Sequence, residues 1–410
     1  MKILHTSDWH IGRALYGRKR YEEFEQFLDW LTGCIAAEGI EVLLVAGDIF
    51  DNGTPSNRAL ELYYRFLCRV AGAGCRHVVV TAGNHDSPSL LNAPRDVLRF
   101  LNVHVVGCMA EDAADELVVL NDINGKPELI VCAVPYLRDR EIRRAEAGET
   151  FEDKGRKLAD GIRDHYREVG EAAVARRAKL VGNLPIIAMG HLFTSGGQTV
   201  EGDGVRELYV GTLGQVHADI FPACFDYLAL GHLHVAQRVS GSDLRRYSGS
   251  PLPMSFAEAG QSKIVIVLNC DASGVTVQEI AVPCFQPLAT VRGDWQRISE
   301  RITVLKKESA PVWLEVIYDG AEVIGDLQDK LRGLIDGTAL EILRAKNMRL
   351  VERTLSRMAM EETLDDLTVD EVFARCLTAH EVPQEQQAEL VAAFRETVAM
   401  LHEDAALGEL

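Results

Sequence analysis

The sequence predicts an α/β protein: a parallel sheet at the N-terminal end, then a small α+β unit, then C-terminal helices. Three observations carry this. From Met1 to about residue 101, short apolar runs alternate with helical periodicities, a β-α-β-α-β order that implies parallel strands with crossover helices. Five apolar runs each stop at a small residue and then at side chains able to bind a metal. Near Pro283-Cys284-Phe285 the pattern changes, and a domain boundary is expected there.

Taken in order, Ile3-Leu4 leads into Asp8-Trp9-His10. Tyr21 to Ala37 has Phe24, Phe27, Leu28, Leu31 and Ile35 at helical spacing, and Gly39 ends it. The run Val42–Val45 leads into Gly47-Asp48. Pro55-Ser56 opens a second helix whose Leu60, Tyr63, Tyr64, Phe66, Leu67 and Val70 exceed what one buried face needs. They imply core on two sides or burial against a second subunit. His77–Val80 leads into Gly83-Asn84-His85-Asp86, and a helix is expected over Pro94–Leu101.

From Val103 to Tyr136 short runs return, with Asn121–Gly125 as a hairpin turn. Arg138–Lys179 is charged and helical, and His165 reads as a surface histidine. Ile186–Met189 delivers Gly190-His191. A loop rich in Gly, Thr and Ser spans Phe193–Phe221. Tyr227–Leu230 delivers Gly231-His232-Leu233-His234. A turn at Arg245–Pro251 follows, then strands at Ile264–Leu268 and Val275–Ile280.

Beyond the boundary, Leu288–Val291, Val312–Tyr318 and Ala339–Leu343 read as strands, and Trp295–Leu305 and Ile324–Ile335 as helices. The expected domains are 1–283, 284–347 and a helical segment 348–410. In the last, Leu364, Leu367, Val369, Val372, Phe373 and Leu377 form one apolar set. Leu390, Val391, Phe394, Val398 and Leu401 form another. Two helices cannot easily bury both faces alone, so this segment is expected to dock on something.

At 410 residues, two or three domains are the prior, and 47% apolar residues suffice for a sizeable core. No apolar run approaches a membrane span, and Met1-Lys2-Ile3-Leu4-His5 enters a strand without the features of a signal peptide. Nine scattered cysteines with no CxxC pair suggest reduced, buried thiols acting as small hydrophobes, and hence a cytoplasmic protein. The net charge of −18 counts against an autonomous, high-affinity nucleic-acid binder. A nucleic-acid substrate would need a local basic patch, metal ions or a basic partner.

In an open α/β sheet, ligands gather beyond the carboxyl ends of the strands. Five such ends would place Asp8, His10, Asp48, Asn84, His191, His232 and His234 around one pocket. Mixed imidazole and carboxylate donors suit a pair of divalent transition metals: manganese, iron or zinc. Asp48, on the central turn, suits a carboxylate bridging the two. His85 is expected to act on the scissile phosphate, with Asp86 holding its ring and keeping it protonated. Arg13, Arg18, Lys19 and Arg20, close behind the first two ligands, are the candidate phosphate contacts.

These residues also carry a resemblance. Asp8-x-His10, Gly47-Asp48, Gly83-Asn84-His85-Asp86, Gly190-His191 and Gly231-His232-x-His234 match, in order, the motifs of the calcineurin-like metallophosphoesterases. Ile3–Gly12, Val45–Asp51 and His191–Gly197 narrow the likeness to bacterial nuclease subunits of that superfamily. The resemblance implies a four-layer α/β/β/α sandwich, a capping domain that binds DNA, and two manganese ions. One ion would take Asp8, His10, Asp48 and His234. The other would take Asp48, Asn84, His191 and His232. His85 would be the catalytic histidine with Asp86 behind it.

It further implies a homodimer packed through helices near Arg58–Val70 and Pro94–Leu101, and a coiled-coil ATPase that holds the C-terminal helices. The implied activity is ATP-dependent 3′→5′ exonuclease action on duplex ends and endonuclease action on single strands and hairpins, in DNA repair, recombination and replication. Asp51 departs from archaeal and eukaryotic relatives, which carry a histidine there, so no role transfers to it. The competing readings are a small-molecule phosphodiesterase on the same scaffold and a non-enzymatic scaffold that binds the ATPase.

Overall fold

A computed structural model describes residues 1–143, 149–194, 215–271, 274–307, 310–322, 324 and 326–348, with 373–375, 377, 387, 390, 391 and 394 near the C-terminus. Two six-stranded sheets dominate it. The first runs Gly274–Ala281, Ile264–Asp271, Lys2–Thr6, Val42–Ala46, His77–Thr81, Val103–Val106. Its last four strands are parallel, as the β-α alternation requires, and Ile264–Asp271 joins Lys2–Thr6 antiparallel. The second runs Gln237–Val239, Ser242–Tyr247, Tyr227–Gly231, Ile186–His191, Pro127–Ala133, Leu117–Asn121.

The apolar runs are so continuous because each central strand is covered on both faces. Ile3, Val42, Leu44 and Val79 of the first sheet meet Leu129, Val131, Ile187 and Ala229 of the second in a dry inter-sheet layer. Leu4, Leu43, Val45 and Val80 face outward, against helices Tyr21–Glu38 and Asn57–Gly72. Ile130, Ala188 and Leu228 likewise pack on helix Phe151–Ala178. The result is the four-layer α/β/β/α sandwich. In helix Asn57–Gly72 the apolar excess is core: Leu62, Tyr63, Phe66 and Leu67 are buried, with Leu60 and Tyr64 packed against the same cluster.

Local expectations fared unevenly. The Asn121–Gly125 turn does join an antiparallel pair, Leu117–Asn121 with Pro127–Ala133. The single helix expected over Pro94–Leu101 is two short ones, Pro88–Asn92 and Arg95–Arg99. His165 is not a surface residue. It is buried, and its Nε2 lies 2.9 Å from the carboxylate of Glu116, 49 positions earlier in the chain. Nor are all the thiols buried: Cys68 and Cys284 are exposed, while Cys75, Cys132 and Cys270 are inside.

The chain divides into two compact units. One comprises Met1–Thr290 with Ser309–Glu315 and Ala339–Arg344, the other the remainder. A three-stranded sheet orders Leu288–Gly293, Val312–Tyr318 and Leu340–Asn347. In the second unit, helix Trp295–Lys307 buries Ile298, Ile302 and Leu305, and helix Leu327–Ile335 buries Leu327 and Leu331. Of the two C-terminal apolar sets, Leu364, Leu367, Val369, Val372, Val398 and Leu401 lie outside the described residues. Phe373 and Phe394, one from each set, stack face to face with ring centroids 3.9 Å apart.

Candidate metal centre

All seven predicted ligand residues converge. They come from both sheets: Asp8, His10, Asp48 and Asn84 follow strands of the first, and His191, His232 and His234 end or follow strands of the second. Two loops run zippered together, with Asp8 N donating to Gly47 O at 3.0 Å, His10 N to Asp48 O at 3.0 Å and Ile11 N to Ile49 O at 2.9 Å. The Asp8 carboxylate accepts from the Ser7 hydroxyl and from His232 N at 2.9 Å, which ties the two sheets at the site.

The backbone is strained where the ligands sit. Asp8, His10, Asp48 and His232 all have positive φ, between 48° and 102°. Such a conformation costs a non-glycine residue of order 1–3 kcal/mol and persists where the surroundings enforce it. The motif glycines have a separate cause, which is lack of room. A Cβ on Gly83 would overlap the Asp48 carboxylate, and one on Gly231 would overlap Ala46 O and the His191 ring.

The donor atoms fall into two groups. His10 Nε2 and His234 Nε2 face each other at 3.1 Å, and Asp8 stands within reach of both. Asn84 Oδ1 lies 3.1 Å from His191 Nε2 and 3.0 Å from His232 Nδ1. Asp48 Oδ2 sits between the groups, 3.6 Å from His10 Nε2 and 3.3 Å from His191 Nε2. Its other oxygen accepts from His85 N at 2.9 Å. Nδ1–H of His191 donates to Ala46 O at 2.9 Å, which turns Nε2 inward.

This arrangement fits a pair of divalent cations. Two imidazole nitrogens aimed at each other have no proton to share in the neutral state, and a cation between them resolves the repulsion. Burial lowers the pKa of His10 well below the ordinary value and that of His232 to about 3, so both offer lone pairs. Burial raises the Asp8 carboxyl. At Asp48 burial works in the same sense, but the His191 and His10 imidazoles outweigh it and hold the carboxyl well below its usual range. Burial would also lower His191, yet Asp48 lifts it to about 9. A cation and that proton compete for the same nitrogen.

Two predicted roles need correction. Asp86 does not hold the His85 ring. Its carboxylate accepts Gly83 N at 2.8 Å, Ile49 N at 3.1 Å and Phe50 N at 3.0 Å, so it fastens one ligand loop to the next. Burial, with Asp48 adding to it, pushes its pKa up to about 6. The partner of His85 is the Asp51 carbonyl, 2.7 Å from Nδ1. Arg20 is buried, in a two-pronged pair with Glu23 at 2.7 and 2.9 Å and with Pro253 O as a third acceptor, and so is not available to a phosphate.

The other basic residues are accessible. Arg13 reaches Asp51 Oδ1 at 3.1 Å, Arg18 lies over the Trp313 ring and pairs with Glu341 at 3.6 Å, and Lys19 is exposed. Residues that sequence reasoning passed over also belong to the site. Ser7 Oγ lies 2.8 Å from Ser248 Oγ, which sits in the Arg245–Pro251 turn, and Glu258 and Lys263 lie behind His234. Their only sequence signal was a serine-rich turn after the last ligand motif.

With this geometry established, the chain can be set beside known proteins. Residues 1–236 match the calcineurin-like phosphoesterase model, and residues 284–381 match the type 5 capsule protein repressor C-terminal domain. The chain is 38% identical over 403 residues to SbcD, the smaller-lettered half of nuclease SbcCD, from Escherichia coli strain K12, covering 97% of this chain and 98% of that one. It is 38% identical over 289 residues to the SbcD of Rhodobacter capsulatus, covering 69% of each. With the SbcD of Bacillus subtilis it shares 33% over 291 residues, covering 70% of this chain and 71% of the other.

Proposed function

The chain belongs to the calcineurin-like phosphoesterases, in the SbcD family, and on that footing we propose that it is the metal-dependent DNA nuclease subunit of an SbcCD-type complex. The observation that carries this is the convergence of all seven ligand residues on one buried centre, with His85 beside it. Every position needed for phosphodiester hydrolysis holds a competent side chain, which removes the reason to read the chain as a scaffold alone.

Two divalent ions, roughly 3.5–4 Å apart when bound, would neutralise phosphate charge and activate a water for in-line attack. Manganese is our assignment for both. The protein's own part is positional. Asp8, His10 and His234 hold one ion, Asn84, His191 and His232 hold the other, and Asp48 bridges. His85 faces the phosphate because the Asp51 carbonyl takes its Nδ1–H, and it offsets charge or supplies a proton to the leaving oxygen. Asp86 keeps the Asp48 and Asn84 loops in register.

The finer reading follows the resemblance. Residues 1–283 form the nuclease domain, 284–347 a cap that binds DNA, and 348–410 the segment that docks on the SbcC-type coiled-coil ATPase. The substrates are duplex ends and hairpins, cut 3′→5′ on duplexes in an ATP-dependent manner. The protein works in the cytoplasm as a homodimer within a heterotetramer, and Arg13, Arg18 and Lys19 contact the DNA backbone. The net charge of −18 agrees with a protein that shares its partner's grip on DNA.

The test is co-expression with a tagged ATPase partner and assay of a labelled DNA hairpin with manganese. Cleavage that depends on ATP and on the partner is expected. A purified complex that hydrolyses bis-p-nitrophenyl phosphate but leaves hairpins intact would replace the nuclease with a small-molecule phosphodiesterase.

A further inference from the structure

Behind His234, on the side away from the other ligands, lies a buried charged pair. Glu258 ends a one-turn helix, Phe256–Glu258, and is fully buried. Lys263 precedes strand Ile264–Asp271 and is 8% exposed. Lys263 Nζ donates to Glu258 Oε2, to Ser250 Oγ at 3.1 Å, to Gln261 Oε1 at 3.3 Å and to the backbone carbonyl of His234 at 3.2 Å. Ser250 N donates to the same carbonyl at 3.2 Å. The second oxygen of Glu258, Oε1, faces the His234 ring, 3.8 Å from Nδ1.

Buried pairs of this kind are a weak source of stability, because desolvating two charges offsets most of their attraction. This one is also aimed. His234 turns Nε2 toward His10, so its proton must sit on Nδ1 when the ring acts as a ligand, and that N–H needs an acceptor. Glu258 Oε1 is a buried acceptor facing it, and a side-chain adjustment of under 1 Å closes 3.8 Å to a charge-assisted hydrogen bond. Lys263 meanwhile holds both the carboxylate and the main chain of His234.

We propose that Glu258 and Lys263 are positioning residues for His234: the carboxylate fixes the ring's tautomer and direction, the ammonium fixes the carboxylate and the His234 backbone, and together they tune the affinity of the ion held by Asp8, His10 and His234 and not of its neighbour. The inference rests on the two-ion reading above. Removing the outer partner of a ligating histidine typically weakens metal binding 10–100-fold.

The test is titration of the full-length, metal-stripped chain with manganese(II), read by electron paramagnetic resonance and by metal content after gel filtration. Two variants are compared with wild type. E258Q keeps the shape, and E258M/K263M replaces the pair by apolar side chains of similar length. In both, one manganese dissociation constant should rise, by roughly 10–100-fold in the double variant and less in E258Q. The other should hold, and the spin-coupled pair signal should give way to that of an isolated ion. The thermal midpoint of the metal-free E258Q chain should stay near that of wild type. Unchanged constants in either folded variant, or equal weakening of both ions, would overturn the proposal. A wild-type chain that takes up no manganese would overturn the two-ion reading, and this inference with it.

Discussion

Nδ1 of His85 lies 2.7 Å from the backbone carbonyl of Asp51, so the imidazole is oriented by main chain, although a carboxylate stands next to it in sequence. No substitution of a neighbouring side chain removes that acceptor. The ring itself can be removed cleanly. His85→Ala should keep both metal ions while turnover of bis-p-nitrophenyl phosphate falls by roughly two to four orders of magnitude, the usual worth of a positioned acid. Loss of metal together with activity would make His85 a ligand.

Asp86 gives the opposite expectation. Its carboxylate carries three backbone hydrogen bonds that join two ligand loops. Asp86→Asn puts an NH2 group against one of those N–H donors. Urea unfolding should show a loss of about 2–4 kcal/mol, the scale of hydrogen bonds to a buried charged group. A variant of wild-type stability and reduced activity would return Asp86 to the chemistry.

Asp48 stands between the two donor groups, and His10 belongs to one. Elemental analysis of the purified variants should find Asp48→Ala depleted of both ions and His10→Ala mainly of one. Near-full metal content in Asp48→Ala would remove the bridging assignment.

The site was legible because each ligand follows a run of apolar residues that can only be a strand, and because a glycine precedes Asp48, Asn84, His191 and His232 where space is shortest. What escaped depended on partners far apart in the chain. His165 looked solvated because its partner is Glu116. Arg20 looked like a phosphate contact because a lone arginine beside a site does, yet Glu23, one helical turn away, claims it. Ile264–Asp271 reads as a strand from its pattern, but periodicity does not say that it inserts beside Lys2–Thr6. Glu258 and Lys263 carry ordinary surface residue types, and only their burial reveals them.

The proposed dimer has a concrete locus. Val97 and Phe100 are 70% and 90% exposed, on and just after the short helix Arg95–Arg99. Light scattering on V97E/F100E should give the monomer mass of 45.2 kDa where wild type gives twice that. An unchanged dimer would move the interface elsewhere.

A chain ending at Asn347 tests the partner assignment. It should remain soluble, bind manganese and hydrolyse a small phosphodiester, but fail to retain the ATPase in a pull-down and lose ATP-dependent cleavage of duplex ends. Capture of the ATPase at undiminished affinity would show that these helices, joined by the Phe373–Phe394 stack, pack only on their own chain.

The pairing of Lys2–Thr6 with Ile264–Asp271 has a consequence for synthesis. The ribosome releases the first strand early, and its neighbour Val42–Ala46 soon after, but the opposite edge stays bare until residue 271 has emerged. At about 5–20 residues per second that wait is on the order of 10–50 s. Through that interval an unpaired strand of high β propensity is displayed to every other nascent chain, the situation in which edge pairing goes wrong. Arrested nascent chains should therefore stay protease-sensitive when stalled before this strand has cleared the exit tunnel and become resistant in one step once it has.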